Sequence, residues 1–305
     1  MSAAGVRAGG RRLAEAGRDI AAGLLGGLGD LRRRPARRPA PRVLRAGWPV
    51  IAAGVILTVA AVAAAMLLVD PLTPGLRARA PAGVVILAER LTDLGLGGVV
   101  LWPLGIALAL LLVLRPHLDA MGRRVATAVI ARVGFLVLCV AGAGLLVTVV
   151  KRLIGRARPH VALGLPGPDP QLTFDWLSWR ASYASFPSGH ATTVFATTVA
   201  LAALFPRARG PLLALAAVVA ATRVLLGAHY PSDVIAGAGV ATLFVLWMVK
   251  LFAARRLVFR LDAEGAIAPM AGPSARRLGL LLPWGARWSG GRNGRSPIPL
   301  EEARS

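Results

Sequence analysis

The sequence predicts an all-α, polytopic membrane protein built as a bundle of six transmembrane helices, and three observations support this. Hydrophobic residues make up 56% of the 305-residue chain and charged residues only 16%, whereas a soluble domain is about a quarter charged. The mean hydropathy is +0.64. The apolar residues are also gathered into runs near the length of about 20 residues that crosses a bilayer as a helix.

Six apolar runs account for the predicted spans. They lie at 48–69, 96–114, 125–150, 190–205, 211–228 and 233–252. The fourth run is short and ends at Phe205. The segment 82–95 alternates apolar and charged residues at helical spacing, so we expect an interfacial amphipathic helix there. A further span is the alternative, which Glu89, Arg90 and Asp93 disfavour because charges inside a bilayer are costly.

Basic residues are concentrated at the two ends of the chain and in two loops. The net charge is +22. Six spans would put the arginine-rich stretches 1–46, 115–124, 206–211 and 253–305 on one side of the membrane, which the positive-inside rule identifies as the cytoplasm. Nucleic-acid binding is the alternative, but basic flanks of a membrane protein attract anionic headgroups, and we expect no nucleic-acid partner. The predicted organisation is a disordered basic tail, a six-span domain at 47–252 and a second basic tail.

The first of three polar clusters follows the third span. The sequence KRLIGRARPH (151–160) places Lys151, Arg152, Arg156 and Arg158 on the outer side, where the positive-inside rule disfavours cations. Side chains that snorkel to the headgroups are one explanation. An anion-binding site is the other.

The second cluster, SFPSGH (185–190), comes directly before the fourth span. Ser188 is a candidate N-cap, which leaves Gly189 and His190 in the first turn of a helix. Free N–H groups and the positive end of the helix dipole make such a start an anion site. Gly189 has no side chain to keep an oxyanion from the backbone. Helix starts of this kind are common, so this cluster alone is weak support.

The third cluster, TRVLLGAHYPSD (222–233), joins the fifth and sixth spans. Arg223 is a charge within an apolar run, and such a charge usually has an anionic partner. Asp233 falls in the first turn of the sixth helix, where it can accept a hydrogen bond from His229. The structural alternative is that Arg223 forms an ion pair with Asp233.

The predicted topology brings all three clusters to one face of the protein. Together they offer several cations, a helix N-terminus, two histidines and a carboxylate beside one of them. This combination suits a phosphate-binding site with a nucleophile and a proton donor. No Cys, His and Asp group with metal-ligand spacing accompanies it, and we expect neither a metal nor a cofactor.

These clusters resemble the signature of the type-2 phosphatidic acid phosphatase family, in the acid phosphatase and vanadium haloperoxidase superfamily. The signature reads KxxxxxxRP, PSGH and SRxxxxxHxxxD, and its parts stand here at 151–159, 187–190 and 222–233. Thr222 replaces the serine of the pattern and keeps the hydroxyl group. The resemblance implies a six-span, haloperoxidase-like core and a lipid phosphate phosphatase that works without a metal.

The resemblance also implies a role for each site residue. His229 would be the nucleophile that forms a phosphohistidine, and Asp233 would orient it. His190 would protonate the leaving oxygen and then activate a water molecule. Five residues would hold the phosphate oxygens: Lys151, Arg158, Ser188, Gly189 and Arg223.

A site at the outer membrane–water boundary suits a lipid phosphate whose tails stay in the bilayer. The candidates are phosphatidic acid, phosphatidylglycerol phosphate, undecaprenyl diphosphate and lipid A phosphates. The expected location is a bacterial inner (plasma) membrane, with both termini in the cytoplasm and the site on the periplasmic face. The alternatives are a haloperoxidase and a non-catalytic anion-binding protein or transporter on the same fold, but intact His190, His229 and Asp233 favour a hydrolase. The sequence does not indicate an oligomeric state.

Overall fold

The computed structural model describes residues 15, 17–18, 48–162, 164–261 and 266–281, so most of the predicted tail 1–46 lies outside the described residues. Within these ranges the fold is helical with one short hairpin, which confirms the all-α class. The helices are α1 (Trp48–Leu68), α2 (Leu76–Arg79), α3 (Ala82–Thr92), α4 (Gly97–Leu114), α5 (Ala120–Ile154), α6 (Pro159–Ala162), α7 (Gly189–Leu204), α8 (Arg209–Leu225), α9 (Pro231–Ala254) and α10 (Ala275–Leu278). The hairpin pairs β1 (Phe259–Leu261) with β2 (Ile267–Pro269).

The chain is a multi-pass membrane protein. Within the described ranges, five helical segments are long and apolar enough to cross a bilayer: Trp48–Leu68, Ala82–His117, Ala120–Ile154, Pro206–Leu225 and Pro231–Ala254. The helix at the predicted fourth span, α7, has 16 residues. At 1.5 Å per residue it is about 24 Å long, less than the hydrocarbon core of about 30 Å. Five of the six predicted spans therefore have the full length, and the fourth is a shorter apolar helix.

The segment 82–95 begins with a separate short helix. α3 has 11 residues, and a 3₁₀ turn at Asp93–Gly95 separates it from α4. α3 packs against α8. Because its length of about 16 Å is too short to cross a bilayer alone, the structure agrees with the predicted short helix and not with an additional span.

The short helix α7 lies at the centre of the bundle, packed against α4, α5, α8 and α9. By contrast α1 buries only Ala65 and presents an apolar surface to its surroundings. The small side chains of α7 allow its neighbours to approach closely, as at helix interfaces in membranes. The buried residues of α7 are Ala191, Thr192, Thr193, Val194, Ala196, Thr198 and Ala200.

A C-terminal hairpin packs against α5 and α9. Phe259 of β1 is buried and packs edge-on against Phe135 of α5, with ring centroids 5.1 Å apart. Phe135 makes a second edge contact, also at 5.1 Å, with Phe252 of α9. Arg132 of α5 donates to two carbonyl groups that follow β2. The described beginning of the predicted tail 253–305 is therefore folded against the helices.

A close contact between α7 and α9 yields a prediction about stability. A Cβ atom at Gly237 of α9 would lie 2.5 Å from the carbonyl oxygen of Ser188, at the start of α7. Gly237→Ala should therefore push the two helix ends apart and lower the free energy of unfolding by about 1–3 kcal/mol, as overpacked cores do. Thermal unfolding in detergent measures the change.

Gly105→Ala is the matched control, because a Cβ atom at Gly105 of α4 would meet nothing within 4 Å. This variant should keep its thermal midpoint or raise it slightly, since alanine favours a helix over glycine. Equal midpoints for the two variants would contradict the close packing of α7 on α9.

Candidate active site

The three predicted motifs meet at one end of the bundle. Lys151 is in the last turn of α5, His190 in the first turn of α7 and Asp233 in the first turn of α9. The backbone N–H of Ser188 donates to the carbonyl oxygen of Asp233 at 2.9 Å. This bond fixes the starts of α7 and α9 side by side, so that segments far apart in sequence form one site.

A glycine turn after α5 carries the first motif into the site. Gly155 ends the helix with a φ of 59°, a left-handed conformation that glycine adopts without strain. The carbonyl oxygen of Asp175 also occupies the space that a Cβ atom at Gly155 would need. Beyond the turn, the N–H of Arg158 donates to the carbonyl oxygen of Ser182 at 2.9 Å, which holds this stretch against the following loop.

His229 is buried at the corner between α8 and α9, with 2% of its surface exposed. Its Nδ1 atom lies 3.6 Å from Oδ2 of Asp233, slightly beyond hydrogen-bond distance. Nδ1 has no hydrogen-bond partner in the described part of the chain. Because Nδ1 faces the carboxylate, Nε2 is the ring nitrogen available to another group. The structure therefore places His229 close to Asp233, as predicted, but the two side chains do not form the predicted hydrogen bond.

The surroundings of His229 favour its neutral form. Burial lowers the pKa of His229 from 6.5 to about 4. The carboxylate of Asp233 opposes this shift of the pKa, whereas the positive charges of Lys151 and Arg158 add to it. The imidazole is therefore uncharged at about pH 7, the form in which its free nitrogen can act as a nucleophile.

At the start of α7, a helix cap and a glycine without a side chain lie beside a lysine. Ser188 is fully buried and its hydroxyl caps the helix by accepting from the N–H of Ala191 at 3.5 Å. A Cβ atom at Gly189 would lie 3.7 Å from Nζ of Lys151. The ammonium group of the first motif therefore lies beside the bare helix start of the second, an arrangement suited to an anion.

His190 packs against the turn that joins α3 to α4. A Cβ atom at Gly95 would lie 3.0 Å from Cβ of His190 and 3.1 Å from its Cδ2. Because Gly95 has no side chain, the imidazole of His190 can lie directly beside the turn. The predicted interfacial segment thus contributes directly to the site, which the sequence did not indicate.

Arg223 extends from α8 to the last residue of α3, directly before the same turn. Its Nη1 donates to Oγ1 of Thr92 at 2.7 Å. Its Nε is buried and lacks a hydrogen-bond partner among the described residues, and a buried donor without an acceptor is costly. An anion at this point would remove that cost. The alternative that Arg223 pairs with Asp233 is wrong, because Asp233 pairs with Arg156.

Asp233 is held by three donors. Nη1 of Arg156 lies 2.7 Å from its Oδ1, and both side chains are fully buried. Oδ2 accepts from the hydroxyl of Ser185 at 2.6 Å and from the backbone N–H of Tyr230 at 2.9 Å. These bonds fix the plane of the carboxylate and direct Oδ2 toward His229.

Arg156 is in turn bound on every side. Its Nη2 donates to Oδ2 of Asp70 at 2.8 Å. Nε and Nη2 donate to the carbonyl oxygen of Gln171 at 3.0 and 2.8 Å. The guanidinium carbon also lies 4.4 Å from the ring centroid of Tyr230, a cation–π contact.

The sequence indicated the motif residues but not the residues that support them. Arg156 counted only as one of four cations, and Asp70 was given no role. Asp70 lies at the end of a span, on the same face as an excess of cations. This combination is the sequence signal that could have indicated its pairing with Arg156. Thr92 and Gly95 have no such signal, because neither is unusual at the end of a helix.

No cluster of three or more His, Cys, Asp or Glu side chains that could hold a metal ion occurs in residues 48–162, 164–261 and 266–281. The charged groups near His229 are the carboxylate of Asp233 and the cations of Lys151 and Arg158. The arrangement brings together a neutral imidazole beside a carboxylate, a second imidazole at a helix start and three positive charges.

Comparisons with known proteins agree with this arrangement. A model of the PAP2 superfamily matches residues 132–257. The lipid A 1-phosphatase of Rhizobium etli is 38% identical over 226 residues, which cover 73% of this chain and 91% of that protein. The lipid A 1-phosphatase of Rhizobium johnstonii is 42% identical over 144 residues, covering 47% of this chain and 55% of that protein.

A more distant group of relatives matches a smaller part of the chain. The decaprenylphosphoryl-5-phosphoribose phosphatase of Mycobacterium tuberculosis is 42% identical over 106 residues, covering 32% of this chain and 51% of that protein. No solved structure matches this chain at a significant level.

The burial of His229 predicts how stability depends on pH. The imidazole takes up a proton near pH 6.5 in the unfolded chain but only near pH 4 in the folded protein. The titration of His229 therefore leaves the free energy of unfolding unchanged above about pH 6.5. As the pH drops toward about 4 it lowers the free energy of unfolding by a total on the order of 3 kcal/mol. His229→Gln, which cannot titrate, should lose less stability than wild-type protein between about pH 7 and pH 5.

Thermal unfolding of purified protein at both pH values provides the measurement. His160→Gln is the control, because His160 is an exposed histidine of the short helix α6, and this variant should follow the wild-type protein. Equal losses of stability in the wild-type and His229→Gln proteins would contradict the lowered pKa of His229.

Proposed function

Because this chain belongs to the PAP2 superfamily and is a multi-pass membrane phosphatase that acts on lipid phosphates, we propose that it removes a phosphate from lipid A or a closely similar phosphorylated glycolipid. The choice of substrate is supported by the two Rhizobium relatives, both lipid A 1-phosphatases. The chain spans 91% of the first of them and 55% of the second.

The observation behind the proposed chemistry is the buried imidazole of His229, whose Nδ1 lies 3.6 Å from Oδ2 of Asp233. The charges of Lys151 and Arg158 lie close enough to lower its pKa, and Arg223 adds a buried Nε without a partner in the described ranges. Positive charge around the nucleophile would stabilise the charge that spreads over the phosphoryl oxygens during transfer. A protein that only binds or transports an anion needs the cations but not a histidine beside Asp233.

The proposed reaction has two steps. In the first, Nε2 of His229 bonds to phosphorus while the bond from phosphorus to the lipid oxygen breaks, and His190 gives its proton to that oxygen. In the second, His190 takes a proton from a water molecule whose oxygen bonds to phosphorus, and the phosphorus–nitrogen bond breaks to release inorganic phosphate. A bound phosphate dianion favours the protonated form of His190 at the outset.

Asp233 and the cations have separate tasks in this scheme. The carboxylate of Asp233 faces Nδ1 of His229, so it favours the tautomer with a free Nε2 and stabilises the charge that builds on the ring. Lys151, Arg158 and Arg223 would hold the phosphate oxygens, together with the hydroxyl of Ser188 and the N–H group of Gly189. We propose that these cations replace a metal ion in neutralising the phosphate.

We further propose that the site lies at the periplasmic face of a bacterial inner membrane, with both termini in the cytoplasm. The loops 115–124 and 206–211 follow the far ends of α4 and α7, opposite the site, and their arginines favour the cytoplasm. Trp176 and Trp179 are 69% and 81% exposed in the loop beside the site. Aromatic rings of this kind prefer the headgroup level, where a lipid phosphate resides.

The proposed phosphatase domain comprises residues 47–252, flanked by basic tails at 1–46 and 253–305. The hairpin of β1 and β2 lies at the beginning of the second tail and packs on the core through Phe259, so this part of the tail is folded. The remaining arginines of the tails would contact anionic headgroups of the cytoplasmic leaflet.

The test of this function is phosphate release from a panel of lipids by the purified protein in detergent. Lipid A should react fastest, and its product should lack the phosphate at position 1. The value of kcat/KM should exceed that for phosphatidic acid, phosphatidylglycerol phosphate and undecaprenyl diphosphate by about tenfold or more, which is about 1.4 kcal/mol in the barrier. A chelator such as EDTA should leave the rate unchanged.

His229→Ala serves as the control for contaminating phosphatases and should release no phosphate. Faster release from another lipid of the panel would overturn the proposed substrate but not the reaction. Loss of activity with EDTA would overturn the proposal that the cations replace a metal ion.

A further inference from the structure

We propose that Asp70, acting through Arg156, positions the carboxylate of Asp233. The end of the first span then contributes to the activity of the site. This inference rests on the proposed role of Asp233 in orienting His229. Asp70 lies two residues after the end of α1 and outside residues 132–257, which match the PAP2 superfamily model. None of the three sequence motifs contains Asp70 or assigns a role to Arg156.

One buried guanidinium joins the two carboxylates. The side chains of Asp70, Arg156 and Asp233 are all fully buried. Nη2 of Arg156 lies 2.8 Å from Oδ2 of Asp70, and Nη1 lies 2.7 Å from Oδ1 of Asp233. The guanidinium is a rigid plane, so the position of one carboxylate limits where the other can lie.

A second link joins Asp70 to the residue next to Asp233. The hydroxyl of Ser232 accepts from Nη1 of Arg156 at 2.6 Å and donates to Oδ2 of Asp70 at 2.5 Å. The backbone N–H of Ser232 donates to Oδ1 of Asp70 at 3.1 Å. Asp70 therefore holds both the arginine and the first turn of α9.

The pattern of bonds explains why Asp70 matters for His229. Arg156 uses Nη1 on a single oxygen of Asp233, because its Nη2 is engaged by Asp70 and Gln171. Without Asp70, the guanidinium would be drawn toward the two-oxygen contact that arginine prefers with a carboxylate. That contact would pull Oδ2 of Asp233 away from Nδ1 of His229, which is already 3.6 Å distant.

The network does not take part in holding the phosphate. Arg156 is fully buried, and all three of its nitrogens donate to protein oxygens. Loss of Asp70 should therefore slow the reaction without weakening substrate binding. A loss in kcat at constant KM is the signature of an effect on the chemical steps.

The test is a double-mutant cycle on phosphate release from lipid A in mixed detergent micelles. Asp70→Asn should lower kcat about tenfold and leave KM within about twofold, and Asp233→Asn should lower kcat about 100-fold or more. The double variant should be within about threefold of Asp233→Asn, because Asp70 acts through the carboxylate that is already lost. The inference would be overturned if the double variant lost kcat by the product of the two single losses, or if Asp70→Asn left kcat unchanged.

A matched control uses the exposed ion pair between Arg77 and Glu89, which has an Nη2–Oε1 distance of 2.6 Å. Glu89→Gln removes a carboxylate from a pair outside the network and should leave kcat unchanged. If Asp70→Asn does not yield folded protein, Ser232→Ala takes its place in the cycle, since it removes the hydroxyl between Asp70 and Arg156 and keeps both charges. The same non-additive loss supports the inference, and an additive or absent loss overturns it.

The cycle also separates this inference from the proposed function. A loss of kcat in Asp233→Asn with none in Asp70→Asn would overturn the inference alone. Full activity of Asp233→Asn, or no phosphate release by the wild-type protein, would overturn the proposed function and the inference with it.

Discussion

A single buried guanidinium holds together the end of the bundle that carries the site. Arg156 bonds to Asp70 after the first span, to Gln171 in the loop between α6 and α7 and to Asp233 at the start of α9. A buried charge costs several kcal/mol unless it is well paired. These three segments therefore cannot separate without leaving charges unpaired in a low dielectric, and the positions of the motifs depend on that constraint.

The arginines on this face divide into two groups by their partners. Arg156 is bound to two carboxylates and is enclosed by protein. Arg223 makes its side-chain hydrogen bond to the neutral hydroxyl of Thr92, and Lys151 lies beside the bare backbone of Gly189; these are cations that we propose bind the phosphate. Arg156 thus stabilises the fold of the site, whereas the proposed phosphate binding rests on the second group.

The sequence predicted the features that depend on local pattern. Long apolar runs indicated the spans, and the Ser188 cap indicated the start of α7, because both are properties of neighbouring residues. The pairing of Asp70 with Arg156 spans 86 positions and depends on how α1 packs against α9, which no local pattern encodes. Phe259 was assigned to a tail for a similar reason: its strand has three residues, and only contact with Phe135 makes it part of the core.

The most direct measurement is the identity of the residue that carries phosphate during turnover. His190→Ala protein with p-nitrophenyl phosphate should accumulate a phosphoenzyme, because this leaving group needs no proton but the attacking water still needs a base. The linkage should be acid-labile and stable in alkali, and mass spectrometry should locate it on His229. The double variant with His229→Ala should form none. Phosphate on any other residue, or a phosphoenzyme in the double variant, would contradict the central role of His229.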